Sequence, residues 1–116
     1  SLRIIDKVAR APRLLCREDY TRALADGMSA GEYVETVSLV SRIVNLDVFA
    51  RGVGVAPLTL PPAVAGEPSQ ETPAASDEGA WLPSVPAGAA ARVVYGDAGP
   101  QPFIYRALSL VPSEVR

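Results

Sequence analysis

The sequence predicts an all-α protein, a helical bundle portion carrying a long irregular segment rich in proline and glycine. Three observations lead there. Residues 26 to 54, "DGMSAGEYVETVSLVSRIVNLDVFARGVG", have the apolar spacing of one long helix with a marked start and a marked stop. Two shorter stretches of helical pattern precede it. Nine of the eleven prolines then crowd into residues 57–102, before a helical pattern returns at residues 103–116.

The first element is expected near residues 2–10. In "LRIIDKVAR", Leu2, Ile5, Val8 and Ala9 are assigned to one face, and Arg3, Lys7 and Arg10 to another. Pro12 interrupts the pattern, because proline lacks a backbone donor and constrains the residue before it. A second helix is expected over residues 13–26, closed by Gly27 in the left-handed conformation. The third is expected over residues 30–51. Ser29 stands three residues before Glu32, the spacing at which hydroxyl and carboxylate satisfy each other's backbone amides. Tyr33, Val37, Val40, Val44 and Val48 then recur at three or four residues, widened by Val34, Ile43 and Leu46. The polar stripe of Glu32, Glu35, Ser38, Arg42 and Asn45 is narrow. Burial on two sides is therefore expected from Tyr33 to Phe49. Gly52 and Gly54 are expected to close the helix, and Pro57 to prevent its renewal.

The middle region, 57–102, cannot be regular helix with a proline every few residues. "GEPSQETPAASDEGA" has the composition of a linker. Trp81, followed by Leu82 and Pro83, is expected to dock part of this region on a core. "ARVVY" at 91–95 fits a short strand or a docked stretch. In the last region Phe103, Ala107, Leu108 and Val111 share a face up to Pro112. "PSEV" then reads as the first turn of a further helix, so the chain is expected to be a piece of a longer protein or half of a structural unit.

Composition bounds the function. At 116 residues and 48% apolar content the chain can build one small core. A net charge of −2 argues against nucleic-acid binding driven by phosphate contacts. No apolar run reaches the roughly 18 residues of a membrane span, and "SLRIIDKVAR" is not a secretory signal. One cysteine forbids an internal disulfide and fits a reducing cytoplasm. The absence of histidine excludes Ser-His-Asp and Cys-His catalysis and histidine metal sites within the chain. The carboxylates are scattered; the Asp77–Glu78 pair fits a solvated loop better than a calcium loop. No catalytic, cofactor-binding or metal-binding residue is assigned.

Four features carry groups capable of chemistry. Cys16, flanked by Arg13 and Arg17, could be favoured as a thiolate, but it lacks a second cysteine or a histidine base, and a structural role is preferred. Arg3, Lys7, Arg10, Arg13, Arg17 and Arg22 form a basic stripe, read first as a solvated face and second as a surface for an acidic partner or membrane. Asp47 and Arg51 are spaced to pair along a helix. Tyr33 and Glu35 are the best polar candidates for lining a pocket between helices.

"ALADGMSAGEYVETVSLVSRIVNLDVFARGVG" resembles the helical hairpin of the carboxymuconolactone decarboxylase and alkylhydroperoxidase D-like superfamily. The resemblance is carried by Gly27, Ser29, Tyr33 to Glu35, Asp47, Phe49 and Gly54. "GAWLP" (Gly79 to Pro83) and "RALSLVP" (Arg106 to Pro112) are similar to features of its peroxidase-related branch. The matched stretches are residues 13–62 and 78–116. The resemblance implies a helical bundle that forms homo-oligomers through its helices, trimeric or hexameric. Thiol peroxidases of the group use a Cys-x-x-Cys pair with a nearby histidine and glutamate, one cysteine attacking peroxide and the other resolving the sulfenic acid. This chain lacks that motif and Cys16 does not correspond to it, so no catalytic residue is carried over. The motif is then expected beyond Arg116, or lost. Two other readings stay open: a non-enzymatic helical interaction module with a proline-rich tether, and a cofactor-free decarboxylase- or isomerase-like pocket.

Overall fold

The computed structural model describes residues 2–57, 59, 61–67, 74–77, 79–86 and 106–111. Three α-helices are present among them: α1 (Leu2–Arg10), α2 (Arg17–Ala25) and α3 (Ala30–Val53). Short 3₁₀ turns cover Pro12–Leu14 and Leu108–Leu110. No strand occurs among the described residues; the one β feature is an isolated antiparallel bridge between Ser76 and Ser84. The all-α expectation therefore holds. The expectations for 91–95 and 112–115 lie outside the described residues.

α3 begins and ends as its sequence dictates. The Ser29 amide donates to Glu32 Oε2 at 2.7 Å and the Glu32 amide donates to Ser29 Oγ at 3.2 Å, so two otherwise orphaned donors are satisfied. At the far end Gly54 adopts φ 74° and the Val55 amide reaches back to the Ala50 carbonyl at 2.9 Å. That left-handed closure favours glycine. Gly52, expected to share the closing role, lies inside the helix. Gly27 closes α2 in the same way, with φ 94° and the Met28 amide bonded to the Ala23 carbonyl at 3.0 Å.

The expected 13–26 helix is split. Leu15 and Cys16 are extended, and α2 starts only at Arg17. Pro12 opens a 3₁₀ turn, and the Asp19 carboxylate then accepts from the Cys16 amide at 2.9 Å. This local bond gives the backbone an alternative to continuing the helix. The inward face of α1 also differs from expectation. Ile4 and Val8 are buried, whereas Leu2 is 85% and Ile5 41% exposed. Ile4, Lys7 and Val8 share one face at i, i+3 and i+4. The ammonium of Lys7 is tied to α2, so the ion pair and the buried Ile4 and Val8 agree on one rotation of α1.

Two small apolar clusters meet on the first half of α3. Ile4, Val8, Tyr20, Ala23 and Tyr33 form one, with Leu15, Met28, Val37 and Val40 against it. Val34, Leu110 and Val111 form the other, and Ala30 and Leu82 touch both. Tyr20 and Tyr33 meet edge to face, ring centres 5.0 Å apart. The start of α3 is thus clasped on two sides, by α1 and α2 and by residues 82–85 and 106–111. The clasp does not extend to Phe49 as expected. Ile43, Leu46, Val48 and Phe49 are 54–66% exposed. The reason is length: nine residues of α1 span about 13 Å and twenty-four of α3 about 36 Å. The irregular segment docks through Leu82, Ser84 and Val85, while Trp81 itself is 45% exposed.

One close approach fixes the second cluster. A Cβ on Gly31 would lie 2.7 Å from the Leu110 carbonyl oxygen, whereas one on Gly52 would meet nothing within 4 Å among the described residues. Gly31→Ala is expected to destabilise the fold by about 1–3 kcal/mol. Gly52→Ala is expected to stabilise it by about 0.5–1 kcal/mol through helix propensity. Urea denaturation of the two variants checks the pair, and equal effects would refute the Gly31 contact.

Candidate functional site

The described side chains that gather ionisable groups lie where α1, the start of α2 and Tyr33 converge. A single oxygen, Asp19 Oδ2, collects three donors. Lys7 Nζ lies at 2.5 Å, the Cys16 amide at 2.9 Å and Cys16 Sγ at 3.2 Å. The local sequence explains the placement. Cys16 precedes Asp19 by three residues, the same spacing as Ser29 and Glu32, so the carboxylate folds back over the helix start. Lys7 reaches it from α1, twelve residues away in sequence.

This geometry sets the protonation states. Hydrogen bonding from Lys7, with the bonds from Cys16 added, holds the Asp19 carboxyl down at about 2. The Cys16 thiol moves the other way. Its hydrogen bond to the Asp19 carboxylate, then that to Glu18, push it above its ordinary value. A thiolate there would face carboxylates, so the thiol stays protonated near neutral pH. The neighbouring arginines do not decide the matter; the three-residue spacing of Cys16 and Asp19 in "CRED", which brings the carboxylate to the thiol, does. Tyr33 is raised by burial, with the Asp19 charge adding to it.

The two proposed pocket residues separate. Tyr33 is 5% exposed and belongs to the core beside Tyr20. Glu35 borders an open hollow of about 370 Å³ together with Asp26, Gly27, Met28, Glu32 and Thr36. Glu32 is engaged in its cap there, and the bond from the Ser29 amide lowers its carboxyl below the ordinary value. A smaller cavity of about 20 Å³ lies between α1 and α2, bordered by Arg3, Asp19, Arg22 and Asp26. No group of three or more metal-ligating side chains occurs among the described residues. The basic stripe is divided: Lys7 is paired with Asp19, Arg10 lies 2.8 Å from Asp6, and Arg3, Arg13, Arg17 and Arg22 are exposed. Arg51 donates from Nε to Asp47 at 2.8 Å, as its spacing predicts. Asp77 accepts from the Gly79 amide at 2.9 Å and so closes a turn; Glu78 lies outside the described residues.

The cluster at Asp19 binds helix to helix, and no thiolate, neutral imidazole or free general base is held in it. The other notable surface is apolar. Leu39, Ile43, Leu46, Phe49 and Val53, from the middle of α3 to its end, are all exposed. No helix among the described residues is long and apolar enough to cross a membrane. No family model matches the chain, and neither a curated protein nor a solved structure matches it.

The Asp19 tie has a definite pH sign. Its carboxyl binds a proton less readily folded than unfolded, so the stabilisation is complete above the ordinary value of 3.8 and is lost as pH falls towards about 2. Urea midpoints across that window are expected to fall less in Asp19→Asn than in the unsubstituted chain. The same variant is expected to speed the reaction of Cys16 with a disulfide reagent severalfold in mildly alkaline buffer, because the carboxylate that disfavours the thiolate is gone. An unchanged rate in a folded variant would refute the assignment of the thiol.

Proposed function

We infer that the chain is a structural, assembly-forming helical unit, corresponding to the non-catalytic half of an alkylhydroperoxidase-like (carboxymuconolactone decarboxylase-like) protein. Its role is to build helical wall and subunit contact around a thiol peroxidase site supplied elsewhere. The observation that carries the assembly role is the exposed apolar face of α3. Leu39 is 39%, Ile43 54%, Leu46 56%, Phe49 66% and Val53 55% exposed within the single chain. A run of that size on one helix marks an interaction site. The protonated, carboxylate-bound Cys16 supports the non-catalytic half of the reading. The kinship rests on the resemblance of residues 13–62 and 78–116. The observed left-handed Gly27, the Ser29 cap and the Gly54 stop sit where that resemblance puts its punctuation.

Light scattering at a concentration on the order of 100 μM, where weak contacts are populated, is expected to give a mass above that of one chain. Leu46→Asp is expected to weaken assembly by about tenfold or more. Peroxide consumption with a dithiol reductant is expected to be absent. A monomeric mass for the unsubstituted chain would defeat the assembly reading, and peroxide turnover abolished by Cys16→Ser would defeat the non-catalytic one.

A further inference from the structure

The outward face of α3 has a register. Leu39, Ile43, Leu46, Ala50 and Val53 are separated by four, three, four and three residues. That is the alternation of a coiled-coil seam. Leu39, Ile43, Leu46 and Val53 are exposed and Ala50 is half-buried. Around the helix this seam lies about 130° from the mean direction of Tyr33, Val37 and Val40, which face the core. One helix can therefore pack inward over its first half and outward over its second.

We propose that this seam, Leu39 to Val53, pairs with the same seam of a second copy of the chain as a short, parallel, in-register two-stranded coiled coil; this rests on the assembly role inferred above. Taking Leu39, Leu46 and Val53 as the d positions of the heptad puts Ile43 and Ala50 at a. Ile43 at a beside Leu39 and Leu46 at d is the combination that favours two parallel strands; the small Ala50 and Val53 complete the far end. The flanking charges select the same orientation. Arg42 falls at g and Asp47 at e, five residues on. In a parallel pair the g residue of one strand faces the e residue five further along the other. Arg42 of each copy therefore meets Asp47 of the other, twice by symmetry. Antiparallel packing sets e against e and g against g, which brings the two aspartates together at the centre of the seam. Asp47 already accepts from Arg51 within its own chain at 2.8 Å, but a carboxylate takes several donors and a guanidinium offers five. The next g–e pairing sets Phe49 against Gly54, where an added Cβ would meet nothing within 4 Å among the described residues.

The seam is about 21 Å long, short for a free-standing coiled coil. It does not have to nucleate its own helix, because the start of α3 is capped and held in the core.

The test uses the whole chain in a Cys16→Ser background, so that the introduced thiols are the only ones. Leu39→Cys and Val53→Cys sit at opposite ends of the seam. In register and parallel, each variant alone is expected to form a covalent dimer on mild oxidation. Cross-linking that appears only when the two variants are mixed would show antiparallel packing and overturn the proposal. Cross-linking in neither case, with light scattering still showing assembly, would overturn it while leaving the assembly role standing. A monomer by light scattering would remove both. Charge exchange supplies the second arm. Arg42→Asp and Asp47→Arg are each expected to weaken self-association about tenfold, as attractive pairs become repulsive. Mixing them restores both pairs and is expected to recover the affinity. Failure of the mixture to recover would refute the parallel register.

Discussion

Asp19 is the joint on which the helical unit turns. Its Oδ2 ties Lys7 of α1 and the backbone and thiol of Cys16 into one contact. Removing the carboxylate would leave a half-buried ammonium and an uncapped helix start together. Measured against an exposed pair such as Asp6–Arg10, whose side chains are 62% and 81% exposed, the Asp19 carboxylate is only 10% exposed and Lys7 25%. Screening by water is correspondingly weaker there. The apolar contacts beside it, Ile4 and Val8 against Tyr20 and Tyr33, require the same rotation of α1 as this ion pair.

The same joint explains why the one thiol is quiet. A cysteine at a helix start is usually acidified by the backbone amides there. Here the Cys16 amide serves the Asp19 carboxylate, the thiol donates to that same carboxylate, and the bonds to Asp19 and Glu18 outweigh the acidifying bond from the Asp19 amide. The local rule for helix starts is obeyed, but its beneficiary is Asp19. Chemistry that needs a thiolate would have to remove the carboxylate or neutralise it.

The legible parts of the fold were the ones written in short spacings. Ser29 with Glu32, Gly27, Gly54 and the Asp47–Arg51 pair could all be read directly, because each is settled within five residues of chain. The same rule applied to Cys16 and Asp19 would have placed the break before α2. Cysteine is an uncommon cap, and Arg13 and Arg17 beside it are a stronger local charge signal of the opposite sense. Long-range facts were not legible. Nothing in "LRIIDKVAR" says that Lys7 finds a partner twelve residues on, or that Ile4 meets the core while Ile5 and Leu2 do not. Apolar spacing in α3 gave the helix correctly and its burial only in part: Tyr33 and Val34 are covered, whereas Ile43 and Phe49 are not. Period shows which side chains share a face, but the length of the neighbouring helix decides how many of them are reached. The functional site was least legible, since Tyr33 and Glu35 are two residues apart and face opposite environments.

That mismatch in length bears on how stability and association are coupled. The second half of α3 carries Val44, Val48 and Val53 with Ile43, residues that lose rotamer freedom in a helix. Its own supports are modest: the closure at Gly54, and the Asp47–Arg51 pair, worth about 0.3–0.5 kcal/mol at most in so exposed a place. Helix propagating from a well-held start weakens with distance from that start unless packing replaces the missing propensity. Any surface that covers Leu39 to Val53 therefore contributes to the order of the last turns as well as to association. By mass action such binding stabilises the helical state in proportion to its occupancy. The apolar face and the low intrinsic propensity of the same residues are thus two aspects of one arrangement, in which α3 is completed by what it meets.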